Sequence, residues 1–233
     1  MNTRTLLFVG VLPLSALFSH PNSAAALELG APFVDNAVLQ RQMHIPVWGW
    51  SKPGTEVTVE FGGQKKTVTT NASGKWTVSL YSLEASADPR SMVFTEKNGE
   101  SKTLKNILVG EVWMASGQSN MQWLAGKSSV AQLVKDLDAK GLKPPIREFV
   151  INSTFSALHP IEKATGTWKI DNYNDYSAVA FAFALKIHQE IGVPVGILNC
   201  SFSQTSIESW IPREGFADGT DPYTKSLHQK ILV

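Results

Sequence analysis

The 233-residue chain has a single cysteine, Cys200. No intramolecular disulfide can form, which excludes a small disulfide-stapled scaffold. There is no Lys/Arg block either: 21 basic residues stand against 20 acidic ones, for a formal charge of +1. Counterion release on nucleic acid needs a concentrated basic face, so this balance argues against a nucleic-acid partner. His44, His159, His188 and His228 are far apart in sequence and no second cysteine joins them, so zinc-ligand spacing is missing. The sequence predicts no metal and no cofactor. Long apolar runs are also absent, since Leu6 to Phe18 is interrupted by Pro13 and falls short of the ~20 residues that cross a bilayer. With Arg4 before that run and Ser23-Ala24-Ala25-Ala26 after it, residues 1–26 read as a secretory signal peptide rather than a retained anchor. Cleavage after Ala26 leaves acidic and basic residues balanced and predicts a secreted or periplasmic protein with no stable membrane span. What remains is ordinary globular composition, 43% hydrophobic and 18% charged, unlike a disordered tail, a collagen or a heptad rod.

Residues 27–106 alternate in short β-type runs. Val57, Val59 and Phe61 alternate with Thr58 and Glu60; Trp76, Val78 and Leu80 alternate with Thr77 and Ser79. Gly62-Gly63 and Asn71 to Gly74 supply turns between them, and Asn98-Gly99 suits a type I′ hairpin. The pattern predicts an antiparallel β-sandwich domain. From residue 107 the periodicity changes. Ile107 to Met114 reads as a buried strand, and Met121, Leu124, Val130, Leu133, Val134 and Leu137 recur at helical spacing until Gly141 and Pro144-Pro145. Ile146 to Ile151 is a second strand. Asp175 or Ser177 caps a helix from Val179 to Ile191, and Val195 to Asn199 is a third strand. Strand, helix, strand, helix, strand predicts a parallel α/β domain over 107–233. Ligand sites in such sheets form at the carboxyl ends of the strands, where Ser116 to Met121 and Cys200 to Trp210 lie. With only three parallel strands a sheet edge stays open, which predicts marginal stability or poor solubility.

Ser119 occupies the strand-to-helix junction Gly117-Gln118-Ser119-Asn120-Met121. Its hydroxyl can attack a carbonyl while N–H groups at the helix start face the oxyanion, or Ser119 or Asn120 can simply cap the helix. Spacing leaves both open. The longer stretch Gly110-Glu111-Val112-Trp113-Met114-Ala115-Ser116-Gly117-Gln118-Ser119-Asn120-Met121-Gln122-Trp123 closely resembles the nucleophile block of the sialate O-acetylesterase family, a branch of the SGNH hydrolases. Val38 to Arg41, Pro46 to Trp50, Pro53-Gly54 and Gly74 to Trp76 resemble that family's N-terminal β domain, and Tyr176 to Phe181 and Gly192 to Asn199 also match. The resemblance implies an N-terminal β-sandwich and a partial SGNH/flavodoxin-like α/β domain, acting on acetylated sugars of the sialic acid or xylan type. It makes Ser119 the nucleophile that forms an acetyl-enzyme, activated by a His-Asp pair. Gln118, Asn120, Ser203, Gln204, Thr205, Glu208 and Trp210 become its oxyanion or substrate-orienting candidates.

The sequence departs from the family pattern twice. Ser203 and Gln204 stand where the family has two glycines, while Thr205, Ile207, Glu208 and Trp210 fit. A Gln amide at that place can serve as an oxyanion donor, or the site is damaged. The family's Asp-x-x-His block does not appear: Asp218, Asp221 and His228 lack its spacing, and His228 reads as a surface residue. The chain therefore reads as truncated before that block, without the base for Ser119. That predicts no Ser119-dependent ester turnover and supports a second reading, a non-catalytic relative that binds acetylated glycans. A free-standing β-sandwich binding module accounts for the first domain but leaves the Ser119 block unexplained.

Overall fold

The structure, a computed structural model, describes residues 26–152 and 161–211, with residues 215, 222, 223 and 226. Most of the expected signal peptide, His159, and Asp218, Asp221 and His228 lie outside the described residues. The strands are β1 (Glu28–Leu29), β2 (Val38–Gln40), β3 (Ile45–Trp50), β4 (Glu56–Phe61), β5 (Gln64–Thr69), β6 (Lys75–Leu80), β7 (Ser86–Glu96), β8 (Ser101–Gly117), β9 (Ile146–Ile151), β10 (Gly166–Lys169) and β11 (Val195–Ser201). The helices are α1 (Ser119–Gln122), α2 (Ala131–Ala139) and α3 (Ala178–Ile191).

The alternating runs do form strands with one buried face: Val57, Val59 and Phe61 on β4, and Trp76, Val78 and Leu80 on β6. The sheet β1-β3-β6 shares a core with the β7-β4-β5 end of a second sheet, through residues such as Val47, Trp76, Phe94 and Ile107. The β7–β8 hairpin differs in its turn. Only Gly99 has positive φ (95°), and the Glu96 N–H donates to Glu100 O at 2.8 Å across a three-residue loop. The Asn98 carboxamide explains the difference. It donates to Glu96 Oε2 and accepts from the Glu100 N–H, which holds Asn98 itself out of the left-handed region that a type I′ turn needs.

β8 is 17 residues long and runs without a break across the expected 106/107 division. Its first half pairs antiparallel with β7, Val38 to Gln40 pair parallel with Leu108 to Gly110, and Glu111 to Gly117 pair parallel with β11. At the changeover Gly110 lies so close to Pro194 that a Cβ there would sit 2.0 Å from the Pro194 carbonyl oxygen. β11 lies between β8 and β9 and is parallel to both; β10 adds an antiparallel edge. Ile107 to Val109 are buried as the sequence predicts, but Trp113 and Met114 are 43% and 69% exposed. Beyond Glu111, β8 has a ladder partner among the described residues only on its β11 side.

The helical spacing after Ser119 predicts one helix, and the structure has three pieces. Trp123 is extended (ψ 127°), Leu124 bridges to Ser177, and a single 3-10 turn covers Ala125–Lys127 before α2. Gly126 and the Ser128-Ser129 pair weaken helix propagation here. α3 matches its sequence signals: Ser177 caps it by accepting from the Ala180 N–H, and Gly192 ends it at φ 70°. The α/β sheet then has two distinct faces. Ile146, Val195 and Ile197 pack against the helices, while Phe149, Trp168 and Leu198 join the β core.

Tyr173 and Tyr176 are buried against Phe181 and donate their phenolic protons to carbonyls, Tyr173 to Pro144 O at 2.6 Å and Tyr176 to Lys169 O at 2.5 Å and Ile146 O at 3.2 Å. Burial, reinforced by nearby acidic groups, pushes Tyr173 up to about 12 from 10.0, and burial likewise drives Tyr176 upward. The folded state therefore holds protons that the unfolded chain releases from pH 10.0 upward. Their stabilisation is complete below that pH and is lost as pH rises through the folded values. Thermal melts should show the midpoint falling between pH 10 and about 12, and Tyr173→Phe should flatten part of the fall.

Candidate active site

Gly117 has a φ of +137°, which swings the chain out of β8 and into α1. The N-cap is Gln118, whose side chain makes no capping bond; its carbonyl oxygen accepts from the Met121 and Gln122 N–H groups. Ser119 is the first helical residue and is exposed, and among the described residues its hydroxyl is committed to no hydrogen bond. A free hydroxyl projecting from the carboxyl end of a strand is the arrangement that nucleophilic attack needs. α1 is only four residues long, so its dipole contributes little; the local N–H groups of Ser119 and Asn120, which have no intrahelical acceptor, are what a developing oxyanion could meet.

Gln122 joins this turn to the segment after β11. Its Nε2 donates to Ser201 O at 2.8 Å, and its Oε1 accepts from the Ser203 N–H at 3.0 Å and from the Ser203 hydroxyl. The Phe202 N–H also donates to Gly117 O at 2.8 Å. Both donors of Ser203 are therefore turned towards Gln122. Gln204 is exposed at φ 63°, the left-handed backbone where the resemblance expects glycine, at a cost of roughly 1 kcal/mol for a residue with a Cβ. Thr205 donates from Oγ1 to Phe202 O at 2.8 Å and accepts from Trp210 Nε1 at 2.9 Å. Glu208 accepts from the Ser206 hydroxyl, its own N–H and the Tyr223 hydroxyl, which holds its carboxyl below the ordinary range. The structure thus brings Gln118, Ser119, Asn120 and Ser203 to one junction, while Thr205, Glu208 and Trp210 stabilise the neighbouring loop, with no hydrogen bond to α1 among the described residues.

Two contributors escape a sequence reading. Gln122 lies within the nucleophile block, one turn after Ser119, and that spacing on one helix face was the available signal. Glu148 sits in a strand that reads as apolar, and its side chain is 1% exposed. Its Oε1 accepts from the Ser177 N–H at 3.0 Å and from Asn199 Nδ2 at 2.8 Å, with Lys169 Nζ 3.6 Å from Oε2. Asn199 Oδ1 in turn accepts from the N–H and hydroxyl of Ser201, whose carbonyl accepts from Gln122. A continuous chain of hydrogen bonds therefore links the N-terminus of α3 to the end of β11 and to α1.

The described histidines lie elsewhere. His44 contacts Ser79 and Tyr81 on the β-sandwich, and the Nδ1 of His188 is 2.8 Å from Val193 O at the far end of α3, roughly 16 Å along the helix from Ser177. Burial pushes the Cys200 thiol up, which keeps it protonated and weakly nucleophilic. Among the described residues no three His, Cys, Asp or Glu side chains cluster as metal ligands do, and no helix is long and apolar enough to cross a membrane.

Residues 109–231 match the family described as carbohydrate esterase, sialic acid-specific acetylesterase. Mouse (Mus musculus) sialate O-acetylesterase is 28% identical over 203 residues, covering 78% of this chain and 37% of that protein. The human (Homo sapiens) sialate O-acetylesterase is 26% identical over 220 residues, covering 86% of this chain and 41% of that protein. The crystal structure of a carbohydrate acetylesterase from Xanthomonas citri superposes with a TM-score of 0.75 at 31% identity, covering 83% of this chain and 44% of that one. The chain spans about two fifths of the length of the curated relatives it matches.

Proposed function

Since the chain belongs to the carbohydrate esterase, sialic acid-specific acetylesterase family, we propose that it hydrolyses acetyl esters on sugars, with Ser119 as the nucleophile and an SGNH-type arrangement of the α/β sheet. The observation that carries this reading is the exposed Ser119 hydroxyl at the end of β8, released from any capping role. Attack on the acetyl carbonyl forms an acetyl-enzyme and frees the sugar hydroxyl; water then releases acetate and restores Ser119. In this reading the Ser119 and Asn120 N–H groups meet the oxyanion, supported by Gln122, which bonds to Ser201 and Ser203 after β11. Among the described residues no side chain is hydrogen-bonded to the Ser119 hydroxyl as a proton acceptor. The leader-like residues 1–26 fit a secreted or periplasmic setting, and the substrates proposed are O-acetylated sugars of the sialic acid or xylan type.

The test is acetate release from O-acetylated sialic acid and from acetylated xylan, combined with labelling by a serine-directed phosphonate. This reading expects acetate release from one of the two sugars and a phosphonate adduct on the peptide holding Ser119, against the expectation of no turnover that follows from the missing Asp-x-x-His block. The absence of a histidine bonded to Ser119 among the described residues favours a second reading, glycan binding without turnover. That reading predicts sugar binding with neither acetate nor adduct.

A further inference from the structure

Beside α1 lies an open cleft of about 690 Å³ whose walls include Asn120, Trp123, Lys127, Ser129 and Val179. Trp123 is the residue at which α1 ends, in extended backbone (ψ 127°), and it lines the cleft together with Asn120, the chain neighbour of Ser119. Its Nε1 donates to Lys127 O at 2.8 Å, which pins the ring while 58% of the residue stays exposed. The opposite wall is aliphatic: Ala178, Val179 and Ala182 of α3. An aromatic platform, an aliphatic wall and a few hydroxyl and amide groups match the mixed surface of a pyranose, whose C–H face is apolar and whose edge is polar. Lys127 adds a charge. It makes no ion pair among the described residues, and Asp175, on the 3-10 turn packed against Ala125–Lys127, is bonded instead to Asn172 Nδ2 at 2.6 Å.

We propose that this cleft is the subsite for the sugar ring, with Trp123 as its stacking platform and Lys127 as the residue that selects a carboxylate-bearing sugar over a neutral one. This rests on the acetylesterase reading of Ser119 and assigns the residues that set its specificity. An ammonium facing a sugar carboxylate gains a charge-assisted hydrogen bond that a neutral pentose cannot offer, whereas stacking on the indole serves both.

The experiment uses Ser119→Ala protein, so that binding is read without turnover. The methyl glycoside of N-acetylneuraminic acid and methyl β-xyloside are titrated separately by calorimetry or saturation-transfer NMR. Lys127→Met is expected to weaken the acidic glycoside about tenfold and to leave the xyloside within about twofold, a tenfold change in Kd being a measurable free-energy step. Trp123→Ala should weaken both about tenfold, and Trp123→Phe, which keeps an aromatic face, should restore most of the binding. The proposal is overturned if Lys127→Met leaves the acidic glycoside unchanged, or if Trp123→Ala binds both sugars as the parent does. The two ideas fail separately. Sugar binding that follows this pattern without acetate release in the Ser119 protein defeats the esterase reading alone, and Ser119-dependent acetate release with a KM indifferent to both substitutions defeats the subsite alone.

Discussion

On the proposed acetylesterase reading, Ser119→Ala protein is expected to release acetate at no more than about one thousandth of the parent rate, a loss of roughly 4 kcal/mol of transition-state stabilisation. The size follows from what is removed. Without the hydroxyl no acetyl-enzyme forms, and only the N–H groups of the turn remain to stabilise attack by water. Because the Ser119 side chain is exposed and bonds to nothing among the described residues, its removal should leave thermal stability within about 0.5 kcal/mol of the parent. Equal melting points with collapsed turnover identify a chemical role. Unchanged acetate release in the alanine protein would place the chemistry elsewhere.

Arg147→Met should have the largest effect on stability, about 3 kcal/mol, read as a fall in melting temperature of roughly 6–12 °C. Arg147 is buried, the residue as a whole being 7% exposed. It donates to Asn36 O at 2.8 Å, Asn106 O at 2.5 Å, Asn106 Oδ1 at 2.8 Å and Ala37 O at 3.4 Å. Burial lowers its pKa, yet an arginine remains charged, so these carbonyls are the acceptors that compensate its desolvation. Methionine fills much of the volume but orphans several acceptors, two of them on Asn106, which is itself at φ 58°. Arg147→Lys should recover only part of the loss, because one ammonium cannot span the same fork of acceptors. A melt of Arg147→Met within 2 °C of the parent, the shift of a sub-kcal effect, would show that the fork is dispensable.

How much of this was readable from residues differs by element. Period-two alternation found β4 and β6 because one face of each is buried and the other wet. Ser177 and Gly192 marked α3 because caps act locally. Three features depended on contacts distant in sequence. The stretch after Ser119 has helical spacing, but Leu124 pairs with Ser177 and interrupts it. Glu148 sits in an apolar strand, and its partners Ser177 and Asn199 are supplied by two later elements. Trp113 and Met114 read as buried because an apolar run says nothing about whether both strand edges are paired. At the proposed site, the strand-to-helix junction that holds Ser119 was legible from its residues, while Gln122 and the two engaged donors of Ser203 appear only once β8 and β11 are side by side.

The length of β8 carries a consequence for how this molecule can change. The same strand enters from the β7 hairpin, shifts register between Leu104 and Ile107 with Asn106 at φ 58°, and from Ile107 alternates its side chains between faces up to the turn that carries Ser119. Inserting or deleting one residue between Asn106 and Gly117 reverses the phase of everything beyond it, exchanging the surfaces that meet α3 and the β core and turning the exit of Ser119 by half a turn. Only paired insertions, or a bulge that absorbs the extra residue, preserve both ends. The sandwich therefore acts as the phase reference for the turn that carries Ser119, and the spacing between Ile107 and Ser119 is as constrained as the residues that flank the serine.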